Sequence, residues 1–460
     1  MRLTIGLTFG HQTPQRMERF VIRPFIASLC VAATLATGSI AASAASPAPA
    51  TPAPPPNVSS LHPSTVLTDI NGYVTATSAS RQRLVVVGQD LDQRPFVAAN
   101  TTYTIIDIGR HNLITRRNTN GTIDNTVIDD RRGVVYLTVQ TVPDRTSGAG
   151  TSYHVDLWTI RLSDGRLLSR RLFYEGEAAT MNAMGVDEST GHLFIATTRP
   201  GSGTYELLMI DPASMAIHIQ SLEGIPDHVF VDSVHHQAVV TTQVGIAAQT
   251  SKFIAFDTRS ENRTWSHLFQ YILSSYANFA MVYNPGTQQI WSVAPGGLVT
   301  VVAASNGQVV RQIQMGYTRP DGWTQVGFAL DATHNMGYAQ WAGAACNIDR
   351  ADRNADVRNV AITYAGSPCG TAGSTLIAVD EGRQLVVTAD ANALHVFNTR
   401  GKEVRTISLI NAKGAGSSWF TYTTIQQGGH MSVVFISDVD HQNEATGAVT
   451  TGAAIFVPLS

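Results

Sequence analysis

The stretch Gly185–Thr198, GVDESTGHLFIATT, decides how the chain folds. A β-rich apolar segment ends in Asp187, a short polar turn carries Gly191, and a second β-rich segment follows. This order predicts two antiparallel strands joined by a tight turn. Seven more versions begin at Val74, Thr126, Val229, Ala280, Gly327, Leu376 and Phe420. The turn acids Asp129, Asp187, Asp232, Asp331 and Asp380, with Asn284 in the fifth copy, stand 45 to 58 residues apart. A propeller blade of four short strands needs roughly 40–50 residues. Repeats two to five and seven read as four strands each, and helical periodicity is almost absent. The fold expected is therefore all-β, a β-propeller of four-stranded blades. Eight copies predict eight blades. The ring has seven if the interrupted second half of repeat six builds no sheet.

Closure follows from the two ends. The eighth repeat stops after its third strand, and Thr65–Ile70 precedes repeat one without a local partner. That segment is expected to pair as the outer strand of the last blade, which would cover an exposed edge.

Ahead of the repeats, residues 1–44 read as an export signal, with Met17 a second candidate start. Arg19 and Arg23 precede an apolar run from Phe25 to about Ala42, and Ala42-Ser43-Ala44 forms an A-x-A cleavage site. Residues 45–63 form a Pro/Ala-rich linker containing SPAPATPAPPP. Residues 64–460 form one propeller domain. A periplasmic or secreted location is expected, with no membrane span after cleavage.

Of 460 residues, 43% are hydrophobic and 14% charged, with a formal net charge of -3. Removing residues 1–44 makes this -6. No basic patch stands out along the chain, so nucleic acid is not an expected partner. Cys346 and Cys369 are the pair left after signal removal, and in an oxidising compartment they are expected to form a disulfide bounding an insertion, 346–369.

The copies GVDESTGHLFIATT, VIDDRRGVVYLTVQ and IAVDEGRQLVVTAD resemble the YVTN-type, WD40-like β-propeller repeats of secreted and periplasmic bacterial proteins. LLMIDPASM from Leu207 and FIAFDTRS from Phe253 match the last part of that pattern. The chain departs from it by lacking the YVAN tetrapeptide and by the insertion in repeat six. The resemblance implies a fold. It carries over no site motif from lactonases or streptogramin-type lyases, which share the architecture.

Ligands of propellers usually sit where blade-to-blade connections line one end of the channel. The segments before the first strands supply Glu177, Asn182, Asp227, His228, Tyr276, Asn278, Asp321, Trp323 and Trp419 as ligand-binding candidates. Convergent polar groups with aromatic walls suit a small molecule. Glu177, Asp227, His228 and Asp321 also suit acid/base chemistry, but the same residues equally shape turns and fill gaps between blades. His235-His236 reads as exposed turn polarity. Asp352, Asn354 and Asp356 match the first three positions of a calcium loop, but Val357 and Thr363 replace the turn Gly and the bidentate Glu. No cofactor is expected, with calcium the one metal to consider.

Two functions follow. One is an exported binding or scaffold module for a protein, glycan, envelope component or small-molecule ligand. The other is a propeller hydrolase or lyase acting on a small lactone or saccharide. The chain holds no haem-attachment motif, phosphate loop, G-x-S-x-G elbow or H-E-x-x-H, and the sequence does not choose between them.

Overall fold

The computed structural model describes residues 65–68, 70, 73–89, 101–141, 153–176, 179–199, 202–244, 250–269, 281–293, 298–314, 326–341, 348–352, 377–389, 393–399, 402–408, 419–425, 432–438 and 453–458. All lie in the second of the chain's two units, Pro55–Ser460. They form eight antiparallel sheets taken in chain order, seven of four strands and one of three. This is the β-propeller, each sheet a blade. The first strands are Tyr73–Ser78, Thr122–Asp129, Thr180–Val186, Ile225–Asp232, Met281–Asn284, Val326–Asp331, Ile377–Asp380 and Trp419–Ile425. Those of most successive blades lie against each other, and the first blade's also meets the eighth's, so they form the inner ring. No helix among the described residues is long and apolar enough to cross a membrane.

The terminal join forms as expected. Thr65–Thr68 pairs antiparallel with Ala453–Pro458, Thr65 opposite Phe456 and Thr68 opposite Ala453. Leu67 and Ile70 pack with Leu84, Val86 and Phe456, so the join is apolar as well as hydrogen-bonded. The three-stranded blade is the sixth, whose third strand is Ile348–Asp352. Asp352 ends that strand opposite Met336. Asn354, Asp356, Cys346 and Cys369 lie outside the described residues.

The core lies between blades. Successive residues of a strand face opposite sides. Val85 and Val87 therefore pack with Val135, Leu137 and Trp158 of blade two, while Leu84 and Val86 pack against blade eight. The same arrangement joins blades two to three, three to four, four to five, five to six and six to seven. Second strands are sealed on both faces, as in Leu193–Thr197. Burying one such Val, Leu or Ile contributes about 1.5–3 kcal/mol. The fourth strands are half solvated and carry most of the exposed large hydrophobics, among them Leu172, Ile219 and Val310.

The turns after each first strand share one chemistry. Carboxylate Oδ1 of Asp129, Asp232, Asp331 and Asp380 accepts the N–H three residues on, at 2.9–3.0 Å. Asp187 and Asn284 accept the N–H two residues on, at 2.8 and 3.0 Å, and in blade one Ser78 Oγ accepts from Arg81. Four residues after each of these caps the backbone turns left-handed. Gly133 and Gly191 hold that position in two blades, while Gln82, His236, Gln288, Asn335 and Gln384 hold it in five, at φ 51–57°. The caps are almost fully buried, Asp129, Asp187, Asn284 and Asp331 at 0%.

Candidate functional site

In an up-and-down blade, the start of the first strand, the second-to-third connection and the end of the fourth strand share one end. The capped turns occupy the other.

At the turn end, successive blades from one to seven are tied to one another among the described residues. Arg81 Nε and Nη2 donate to the Asp130 carbonyl, and Arg132 Nη1 and Nη2 donate to those of Glu188 and Thr190. Asp130 N donates to Glu188 Oε1, Glu188 N to Ser233 Oγ, and Ala332 N to Glu381 Oε1. The two neighbouring histidines lie in the turn as expected, His235 exposed and His236 half-buried, and both also take part in these ties. His236 Nδ1 lies 3.2 Å from Ser189 Oγ of blade three, and His235 bridges Asp232 and Gln288 of blade five. Burial pushes the Asp187 carboxyl up, but bonds from Thr258, Ser189 and Ser233 outweigh it and hold the group below its ordinary value. Asp232 behaves alike, with Tyr283 and His235 as donors. Burial and the bond to Asp232 in turn raise the Tyr283 phenol. Among these turn acids, Asp380 Oδ2 lacks a partner.

The opposite end, the entry end, is built differently. The first strands of blades one to four and eight each bulge near their start, between Val74 and Ala76, Ile123 and Asn125, Met181 and Ala183, Pro226 and His228, and Phe420 and Tyr422. A bulge leaves one residue unpaired and re-aims its side chain. The residues so released are Thr75, Asp124, Asn182, Asp227 and Thr421, all polar. Thr138 Oγ1 and Thr241 Oγ1 accept the N–H of Asn125 and His228, holding two bulges in place.

Blades two, three and four form a contiguous polar arc here. The Asn125 amide donates to the Met181 carbonyl of the next blade. Asp124 accepts the backbone bond from Met181, but burial is the larger influence and pushes its carboxyl up to about 7. Its Oδ2 is buried without a partner, as is Asn182 Oδ1. His228 Nδ1 is 3.3 Å from Asp227 Oδ2 without the geometry of a hydrogen bond. Its ring stacks on Phe230, centroids 5.6 Å apart at 8°. Buried polar atoms are normally matched, whereas three on these consecutive blades are not. A carboxyl protonated near neutrality adds an O–H donor to this set of acceptors.

Of the residues expected from sequence, the structure brings Asn182, Asp227 and His228 into this arc. Trp419 opens the first strand of blade eight, opposite Asp438. Glu177, Tyr276, Asn278, Asp321 and Trp323 lie outside the described residues. Asp124 and Asn125 were not among the expectations. The signal for Asp124 was present: Asp124, Asn182 and Asp227 each stand five residues before a turn acid. Among the described residues no group of three His, Cys, Asp or Glu side chains is arranged to hold a metal.

No protein-family model matches the chain, and no curated protein sequence does. Solved structures match in fold. A quinohemoprotein alcohol dehydrogenase from Comamonas testosteroni aligns at TM-score 0.56 and 11% identity, over 87% of this chain and 76% of that one. Sqt1 of Saccharomyces cerevisiae aligns at 0.53 and 10%, over 87% and 100%. The computationally designed protein Ika8 aligns at 0.50 and 13%, over 84% and 97%. At these identities the likeness is one of fold alone.

Proposed function

We propose that the chain is an exported propeller that binds a hydroxyl-rich ligand, a glycan or an envelope component, at the entry end of blades two to four. The YVTN-like repeats and the signal-like residues 1–44 support export to the periplasm or beyond. The observation that carries the binding reading is the arc of bulged residues, Asp124, Asn182 and Asp227 beside His228, in which Asp124 Oδ2, Asn182 Oδ1 and His228 Nδ1 are buried and unmatched. Sugar hydroxyls both donate and accept, and so can satisfy such a mixed set. A panel of neutral mono- and oligosaccharides, read by thermal shift and calorimetry, tests this. A saturable ligand is expected, with affinity falling about tenfold or more in Asn182→Ala. The reading fails if no saccharide binds, or if ligands bind Asn182→Ala and an Asp227→Ala/His228→Ala variant as they bind the parent.

One observation favours a second reading, a hydrolase or lyase acting on a small lactone or saccharide. A carboxyl with its pKa near 7 is poised for general acid–base work. Asp124 would then donate or take the proton. Turnover of model lactones by the parent and none by Asp124→Asn would establish this reading. Binding without turnover would leave the first.

A further inference from the structure

The whole-chain charge hides an uneven distribution. Residues 73–176, the first two blades, hold 13 Arg and no Lys against 10 Asp and Glu, whereas residues 177–460 hold 14 basic against 22 acidic residues. Strand register brings two of these arginines to one groove. Arg117, on the outer strand Asn112–Asn118, lies directly opposite Tyr103. Arg170, on the outer strand Leu167–Gly176, lies directly opposite Trp158. Directly opposed residues share a sheet face. Tyr103 and Trp158 belong to the same inter-blade cluster, so both arginines face the groove between blades one and two at its outer rim.

The two cations differ in how they are matched. Arg170 Nε and Nη2 each stand 2.7 Å from Asp156 Oδ2, and its guanidinium lies 5.5 Å over the Trp158 ring. Arg117 is exposed, and no carboxylate pairs with it among the described residues. It stands near enough to the Tyr103 phenol to oppose the rise that burial causes there. Arg161 and Asp164, 3.2 Å apart, neutralise each other in the turn of blade two, where Arg166 adds a further exposed cation. Trp158 is only 7% exposed, and its Nε1–H is buried without an acceptor. A buried donor left unmatched costs about 1–3 kcal/mol.

We propose that this groove binds a tetrahedral oxyanion, phosphate or sulfate, between Arg117, Arg170 and the indole N–H of Trp158. Asp156 offsets one guanidinium, leaving a net positive rim for the anion. Donors approaching from two blades suit an ion with oxygens on several sides better than a planar carboxylate. The groove lies on the outside of the ring and owes nothing to the entry-end site.

The test titrates the chain lacking residues 1–44 with sodium phosphate and sodium sulfate against sodium chloride at matched ionic strength, by calorimetry and thermal shift. Saturable binding of phosphate or sulfate, absent with chloride, is expected. Arg117→Gln should weaken it about tenfold or more, the worth of one charge-assisted hydrogen bond. Trp158→Phe, which keeps an aromatic ring but removes the N–H, should weaken it as well. Arg110→Gln should not, because Arg110 sits beside His111, which stacks on Phe456 of blade eight. A monosaccharide phosphate binding more tightly than inorganic phosphate would assign the group to a glycan, and equal affinity would assign it to the free ion. Equal phosphate affinity in the parent and Arg117→Gln, or a response that follows ionic strength alone, would overturn the proposal. Arg117 is exposed, so its variant decides the matter even if Trp158→Phe fails to fold.

Discussion

The two ends of the ring use the same residue types to opposite effect. At the turn end, buried Asp187 and Asp232 are surrounded by donors and held below their ordinary pKa. At the entry end, half-buried Asp124 has one backbone donor and one buried, unmatched oxygen, and its pKa rises to about 7. The difference lies in the local backbone. A tight turn folds its own N–H groups back onto the acid that caps it. A bulge in the inner strand turns its side chain away from the ladder that could have supplied donors. The turn end therefore holds blades together, and the entry end keeps polar groups available at a cost in stability. Function is often found where such a cost is tolerated.

The largest expected effect removes the ring that both ends share. Deleting the residues before Gly72 takes away the strand paired with Ala453–Phe456 together with Leu67 and Ile70. The melting temperature should fall sharply, and an unchanged melting curve would show that the join contributes nothing. Next is Asp187→Ala. It strands the Ser189 N–H and the Thr258 hydroxyl, and should cost about 2–3 kcal/mol of unfolding free energy, read from denaturant unfolding. Asn182→Ala, at the other end, should cost less than about 0.5 kcal/mol because Oδ1 has no partner to lose. Equal costs would erase the contrast between the ends.

Gly191→Ala should fall between these, at about 1–2 kcal/mol. Its φ is +89°, and a Cβ there would stand 2.6–3.0 Å from the Arg132 guanidinium that ties blade two to blade three. Loss of no stability would mean that this tie is loose.

The most discriminating effect is in pH. Asp187 and Asp232 have folded pKa values below the ordinary 3.8, so their contribution is present above about pH 4 and is lost as pH falls through the folded values. Asp124 has the opposite sign. Between about pH 4 and 7 the folded state keeps a proton that the unfolded chain releases, so stability declines as pH rises through that window. Asp124→Asn should therefore melt higher than the parent at pH 8 and alike at pH 4. Parallel melting profiles of the two proteins across that range would contradict the raised pKa.

Much of this was legible in residue order. The capping residues were visible as a repeat, and they end the first strands of blades two and four to seven and directly follow that of blade three. Closure by Thr65–Thr68 followed from a missing strand at one end and a surplus at the other. Asn182, Asp227 and His228 were found by reading them as lying just before a first strand, whereas the structure places them inside the strands Thr180–Val186 and Ile225–Asp232, near their starts. Asp124 escaped because Asp and Asn in short polar stretches ordinarily make turns, and the bulge that frees it exists only in strand pairing. The polarity of the His235-His236 turn was legible, and His235 is exposed, but the ties the two rings make to Ser189 and Gln288 were not, because those partners are 47 and 53 residues away in sequence.

The sequence by itself determined the blade, because a cap, a left-handed residue and alternating apolar strands act within one hairpin and need nothing distant. Only the tertiary structure decided which polar groups are matched. Matching depends on what the neighbouring blade offers, and a repeated motif cannot say whether the group facing it across the groove is a donor, an acceptor or neither.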